Sequence, residues 1–339
     1  MKYVFIAALA GAVLTSCATA GIGYEGSAFK KSYESITSQD LKKHLYIIAS
    51  DEMQGRNTGS EGQKKAGRYM IEQYGKMGVS YPPALGSFYQ QVPASYIGTR
   101  RGNEYPDSEN ILAFIEGTEK PDEIIVLSAH YDHVGIKDGV VFNGADDDGS
   151  GTVALMEIAE AFNIAKKKGV APKRSVLILH VTAEEIGLVG SKYYTENPVY
   201  PLANTVANLN IDMIGRSDKE NEGKDYVYVI GSGILSSELK SISEAANKAT
   251  RNLELNYKYD DPKDPQMLYY RSDHYNFAKN NIPVAFYFDG IHEDYHKSTD
   301  DPEKIDYELL QKRTQLVFAT AWELANREAR IVVDGKNNR

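Results

Sequence analysis

The chain is short of sulfur. A single cysteine among 339 residues forbids an internal disulfide and a cysteine-built zinc module, so any metal must be held by His, Asp and Glu. Positive charge is also scarce. Thirty-eight Lys+Arg stand against 47 Asp+Glu, giving a net charge of −9 with no basic run; this argues against a nucleic-acid partner, because phosphate backbones are bound by clustered cations. No apolar run reaches the ~20 residues that a membrane-spanning helix requires. What remains is 42% hydrophobic and 25% charged, an ordinary globular composition that excludes disorder or coiled coil as the main state.

The first residues carry an address. Lys2 is followed by an apolar stretch from Tyr3 to Leu14, and the segment closes on Leu14-Thr15-Ser16-Cys17. A positive start and a short apolar core read as an export signal. The ending resembles the bacterial lipoprotein signal, which implies that residues 1–16 are removed and that Cys17 becomes the lipidated first residue. The expectation is an exported lipoprotein anchored to a membrane, periplasmic or at the cell surface. The alternative is an ordinary secretory signal with a cysteine there by chance.

Residues 17–35, with Gly21, Gly23 and Gly26 and no sustained periodicity, read as a flexible tether. The fold is expected over 36–330, with a tail over 331–339. Ser38 is positioned to cap a helix running to Ser50, and Ser60 a second one through Met77 that stops at Gly78. Further on, apolar runs at 111–115, 124–127, 176–181, 206–211, 226–230 and 284–288 alternate with helix-like stretches at 151–168, 236–251, 273–279 and 302–327. With no internal repeat and no interior linker, this predicts one α/β domain in three α/β/α layers around a mixed, mainly parallel twisted sheet. Chemistry is then expected on loops at the carboxyl ends of the strands.

Charged residues cluster at those ends. The run at 124–128 gives way to His130-Tyr131-Asp132-His133, 176–181 to Glu184-Glu185, and 206–211 to Asp212. Between the first two stands Asp146-Asp147-Asp148 in a glycine-bracketed loop opening a helix, and near the C-terminus His296 is followed by Asp300. Singly, a histidine after a strand is more often a hydrogen-bonded loop residue, and acids before a helix more often its cap. Together they would crowd carboxylates along one sheet edge, where they repel unless a cation sits among them.

In order and spacing these motifs resemble the co-catalytic zinc aminopeptidases, whose relatives include glutamate carboxypeptidases and glutaminyl cyclases. The resemblance runs from about Ser38 to Arg327 and rests on His130-Tyr131-Asp132, Asp146-Asp147-Asp148-Gly149-Ser150-Gly151, Glu184-Glu185 before Gly187-Leu188-Val189-Gly190-Ser191, Asp212, and His296 with Asp300. It implies two zinc ions bridged by Asp147, with His130 and Asp212 completing one site and Glu185 and His296 the other. It further implies a bridging hydroxide as nucleophile, Glu184 as general base and then acid, and a cis peptide bond between Asp147 and Asp148. Asp132 is expected to accept the second imidazole N–H of His130, and Asp300 to support His296 in the same way.

The activity so implied is removal of the N-terminal residue from peptides. Glutaminyl cyclisation, a carboxypeptidase or dipeptidase reaction, and a non-catalytic binding lipoprotein stand as alternatives. Arg271-Ser272-Asp273-His274 receives no ligand role: Asp273 lines the site or caps a helix, and Arg271 is the one cation available for a substrate carboxylate. His133 and His292 are expected in loops near the site, and His44 and His180 as packed or solvated residues.

Overall fold

Strands that are apolar at every position belong to sheets covered on both faces. The computed structural model, which describes residues 23–261 and 263–337, shows this arrangement. Its helices are α1 (Ser27–Ser35), α2 (Ser38–Ile48), α3 (Glu61–Met77), α4 (Ala94–Ile97), α5 (Gly151–Lys167), α6 (Val189–Glu196), α7 (Ser237–Ala249), α8 (His274–Ala278) and α9 (Tyr307–Asn326). Its strands are β1 (Tyr89–Val92), β2 (Ser108–Ile115), β3 (Lys120–His130), β4 (Gly135–Lys137), β5 (Val140–Phe142), β6 (Arg174–Val181), β7 (Thr205–Ile211), β8 (Tyr226–Ile230), β9 (Glu254–Asn256) and β10 (Val284–Phe288).

Eight strands form one sheet in the order β1-β2-β6-β3-β7-β10-β8-β9, and β4 pairs with β5 in a separate hairpin. The central four, β6, β3, β7 and β10, run parallel; β2 and β8 flank them antiparallel. Successive side chains leave opposite faces. Ile125 and Leu127 join the cluster of Phe162 on α5 with Phe318 and Trp322 on α9, while Val126, Leu177 and Leu179 join Tyr194 on α6 and Phe277 on α8. This is the expected three-layer architecture.

The end signals are partly as read. Ser60 accepts a hydrogen bond from the Gln63 N–H, and Gly78, at φ 79°, closes α3 in the left-handed region that favours glycine. Thr37, rather than Ser38, caps α2 through its hydroxyl. The helix expected over 302–327 starts later, at Tyr307, with Asp306 as its cap.

Two boundary expectations are corrected. Residues 27–35, read as part of a tether, form α1, which buries Ala28, Phe29 and Ser32. Phe29 stacks on Phe318 and meets Trp322 edge-on, so tertiary packing supplies what local periodicity did not. Residues 331–337 of the expected tail lie against α7: the Val332 N–H donates to Glu238, and Ser237 donates to Asp334. The expected signal over 1–16 and Cys17 lie outside the described residues. No described helix is long and apolar enough to cross a membrane.

The α2–α5 contact buries a titratable pair. His44 Nε2 lies 3.5 Å from Glu157 Oε1, and burial favours the neutral form of both, pushing His44 down to about 4 and Glu157 up to about 8. At neutral pH this is a neutral acid beside a neutral imidazole, whose Nδ1 pairs with the Tyr69 hydroxyl at 2.7 Å. A carboxyl group with a raised folded-state pKa contributes stability that is complete below its ordinary value and is lost as pH rises through the folded one. The expected result is that Tm falls between about pH 5 and pH 8 more steeply in the wild type than in Glu157→Gln. Equal slopes in thermal melts of the two proteins would refute this assignment.

Candidate metal centre

Because β6, β3, β7 and β10 are parallel, their carboxyl ends share one edge, and the loops beyond them converge. His130 is the last residue of β3, Asp212 directly follows β7, Glu184 and Glu185 lie in the turn after β6, and His292 and His296 lie in the loop after β10. The acidic run occupies the Ala145–Ser150 turn leading into α5, with its Asp147–Asp148 peptide bond cis, as the resemblance implied. Gly144 enters this turn at φ 54°, where a Cβ would strike the His133 ring and the Asp147 carbonyl, so glycine is required there.

Asp147 sits between two groups. Its Oδ1 is 3.1 Å from His130 Nε2, which is itself 3.6 Å from Asp212 Oδ1. Its Oδ2 is 3.1 Å from His296 Nε2, which is 3.1 Å from Glu185 Oε2. One carboxylate therefore faces both halves of the expected ligand set. His130 Nδ1 lies 3.0 Å from the Asp132 carbonyl; an oxygen that can only accept makes Nδ1 the protonated nitrogen and leaves the Nε2 lone pair toward the acids.

The donor set fits divalent cations. Asp147, Asp212, Glu185 and His130 are all buried, and buried carboxylates at this separation need compensating positive charge. Asp147 Oδ2, Glu185 Oε1 and both nitrogens of buried His133 make no hydrogen bond, although His133 Nδ1 comes within 2.7 Å of Glu185 Oε1. Lone pairs that converge without a proton between them suit a cation, and oxygen and imidazole ligands without thiolate suit an ion used for hydrolysis. His130, Asp148 and Asp212 form one compact group of donors, and His133, Asp147 and Glu185 a second.

Two supporting roles differ from expectation. The Asp132 carboxylate is 3.8 Å from His130 Nδ1, and it accepts instead from the Thr58 hydroxyl at 2.9 Å and the Glu184 N–H at 3.1 Å. It therefore fixes the Glu184 backbone, while its carbonyl orients the imidazole. Asp300 does not reach His296; its carboxylate accepts the N–H groups of Asp146 and Asp147, each at 3.1 Å. The reason is geometric: the loop after β10 doubles back over the acidic turn, and Ala145 N–H also binds the Asp300 carbonyl.

Sequence reasoning missed several residues. Asp148 accepts the N–H groups of His130, Gly151 and Met213, so it ties the ends of β3 and β7 to the start of α5. Ser272 donates to Asp212 Oδ2 at 2.6 Å and accepts from Asn210 at 2.9 Å; its stretch was noticed but given no role. Arg56 is fully buried and donates to the carbonyls of Ile48, Tyr131, Asn143 and Gly144, with nothing in its sequence neighbourhood to announce it. Asp273, buried at the start of α8, does not cap it. His292 pairs with Asp146 at 3.1 Å, and His180 is packed against the Tyr74 hydroxyl, neither facing the candidate ligands.

Two cavities flank the centre. One, of about 30 Å³, is lined by Asp147, Glu184, Asp212, Arg271 and His296 together with Met213, Leu268, Phe286, Phe288 and Ile291. Tyr295 stacks on His296, their ring centres 3.9 Å apart. The other is a trough of about 700 Å³ lined by Glu185 and Ile186, by residues of the 101–106 loop and by Val134, Ile136 and Lys137.

Comparison with known proteins agrees with this geometry. The family model of Peptidase family M28 matches residues 110–321. The chain is 29% identical over 234 residues to the aminopeptidase YwaD of Bacillus subtilis, covering 65% of this chain and 46% of that protein. It is 39% identical over 105 residues to a probable glutamate carboxypeptidase, LAMP1, of Arabidopsis thaliana, covering 31% of this chain and 14% of that one. The match thus spans less than half the length of these curated relatives. In fold it is similar to BSAP, a zinc aminopeptidase from Bacillus subtilis, with TM-score 0.67, 17% identity and coverage of 89% of this chain and 98% of that one.

Proposed function

The chain belongs to peptidase family M28, and on that premise we propose that it is a zinc-dependent aminopeptidase, hydrolysing the bond after the N-terminal residue of peptides. The observation that carries this reading is Asp147, with one carboxylate oxygen toward His130 and the other toward His296. His130, Asp147 and Asp212 would hold one ion, and Asp147, Glu185 and His296 the other, with His133 beside the second. Bound there, two divalent cations supply Lewis acidity, which polarises a scissile carbonyl and lowers the pKa of water.

The remaining chemistry belongs to the chain. Glu184 lies in the wall of the smaller cavity, next to Glu185 but outside either group of converging donors. Its carboxylate accepts a proton from the attacking water and passes it to the departing amine. Asp132 holds the Glu184 backbone, and Ser272 fixes the rotamer of Asp212. Met213, Leu268, Phe286, Phe288 and Ile291 offer an apolar wall beside these groups for the side chain of the substrate's first residue. With the lipoprotein reading of residues 1–17, the enzyme would act on peptides from a membrane surface.

The test is hydrolysis of aminoacyl p-nitroanilides, free and N-acetylated, with metal content measured in parallel. Turnover confined to free amines, abolished by a chelator and restored by two equivalents of zinc, is the expected result. Failure to turn over any free-amine substrate while two zinc ions are bound would overturn the reading.

A further inference from the structure

The two cavities differ in a way that assigns a direction to the substrate. The smaller one is a narrow cleft with both charged and apolar walls beside Glu184, whereas the trough is far larger. If the first residue is held at the smaller cavity, beside Glu184, the rest of the peptide leaves along the trough. This inference rests on the aminopeptidase reading.

The trough holds two cations and two acids, and one of the acids, Glu185, belongs to the proposed metal centre. Arg101 and Lys137 line it from two separate elements, the 100–103 turn and β4, and Glu104 is the single acid in the lining apart from Glu185. Both cations are exposed, and among the described residues neither takes part in an ion pair. Each is carried by a fixed element. Arg101 sits at φ 49° in a turn closed by reciprocal hydrogen bonds between Arg100 and Asn103. Lys137 ends β4, its ammonium 5.0 Å from the centre of the Phe142 ring across the hairpin. That hairpin is tied back to the body where the Asn57 side chain donates to the Val134 carbonyl.

We infer that Arg101 and Lys137 select substrates bearing a carboxylate beyond the scissile bond, supplied by an acidic side chain or by the free C-terminus of a short peptide. Cations without an acidic partner, on two elements of one trough, gain interaction when an anion enters it, and a chain of net charge −9 would otherwise disfavour anionic substrates. Asn57, Thr58 and Ser60 along the same trough offer polar partners to the peptide backbone in between.

The experiment compares kcat/KM for four tripeptides, Leu-Ala-Glu and Leu-Ala-Ala, each as free acid and as C-terminal amide, alongside leucine p-nitroanilide. For the full-length wild type, carboxylate-bearing peptides are expected to exceed Leu-Ala-Ala-amide by about fivefold, the factor that two partly exposed charge pairs give. Raising the salt concentration should reduce the ratio, because screening weakens exposed pairs. In the double variant Arg101→Gln, Lys137→Gln the ratio should approach one. Preference for Leu-Ala-Glu-amide over Leu-Ala-Ala-amide identifies the side chain as the source, and preference for Leu-Ala-Ala over its amide identifies the C-terminus; either supports the inference. Turnover of leucine p-nitroanilide with equal rates on all four peptides, or a ratio that survives the double substitution, would overturn it while leaving the aminopeptidase reading intact. No turnover of any substrate would overturn both.

Discussion

Glu184→Gln is expected to lower kcat by about a thousandfold, within the range of 10²–10⁴ that a positioned general acid–base supplies, and to leave zinc content unchanged. Glutamine keeps the size of the side chain and its place in the cavity wall but has no carboxylate to accept the proton from water. The substitution does not harm the fold, because Glu184 is surrounded by charge of its own sign. Burial, and then Asp212, Glu185 and Asp273, push its carboxyl well above the usual range, with His130 opposing. Removing the ionisable group relieves that crowding, so the melting temperature should hold or rise. Kinetics on an aminoacyl p-nitroanilide, with melting and metal analysis on the same sample, separate the cases. A loss of less than tenfold would remove Glu184 from the proton-transfer role. A large loss accompanied by loss of zinc would reassign it as a ligand.

The second large effect is on stability. Arg56→Met should cost about 3–5 kcal/mol, the usual penalty for deleting one partner of a buried ionic network, and should weaken metal binding with it. Arg56 spans the junction of three segments: the end of α2 through Ile48, the residue after β3 through Tyr131, and the acidic turn through Asn143 and Gly144. Methionine fills much of the volume but removes the donor to the buried carbonyls of Ile48, Tyr131 and Asn143, each a desolvation penalty of about 1 kcal/mol or more, while Gly144 keeps the Gly149 N–H. It also deletes a cation close to Asp132, Asp147, Asp148 and Asp300. Burial pulls the guanidinium down to about 10, and those four acids hold it up, so Arg56 stays charged at any pH the protein meets. Arg56→Lys should rescue little, since an ammonium has three donors and no planar fork to match four acceptors. Denaturant unfolding measures the effect. A change under 1 kcal/mol for Arg56→Met would show that water replaces the guanidinium and that the cation is not structural.

Much of the sheet could be read directly. Six apolar runs became strands β2, β3, β6, β7, β8 and β10, because a strand covered on both faces writes its burial into every consecutive residue. The same locality exposed the chemistry: His130, Glu184, Glu185 and Asp212 stand at or just beyond the last residues of parallel strands, so a reading of strand ends places them together. Elements with weak local signals were lost. The helix α1 has no apolar stripe long enough to declare itself and depends on Phe29 meeting Phe318 and Trp322 across the fold. The hairpin of β4 and β5, three residues a side, is too short to show an alternation.

Within the centre the division falls between identity and pairing. The sequence by itself determined which side chains could bear metal chemistry and in what order they come, because residue type and strand-end position are local properties. Only the tertiary structure decided who supports whom. Asp300 holds the acidic turn rather than His296, Asp132 orients His130 through its carbonyl and Glu184 through its carboxylate, and Ser272 reaches Asp212 from 60 positions away. Arg56 meets a carbonyl 75 positions distant. Such hydrogen bonds depend on how loops from several strands stack over one another, and the distance between two loop atoms is set by the packing of the whole domain rather than by any residue near them in the chain.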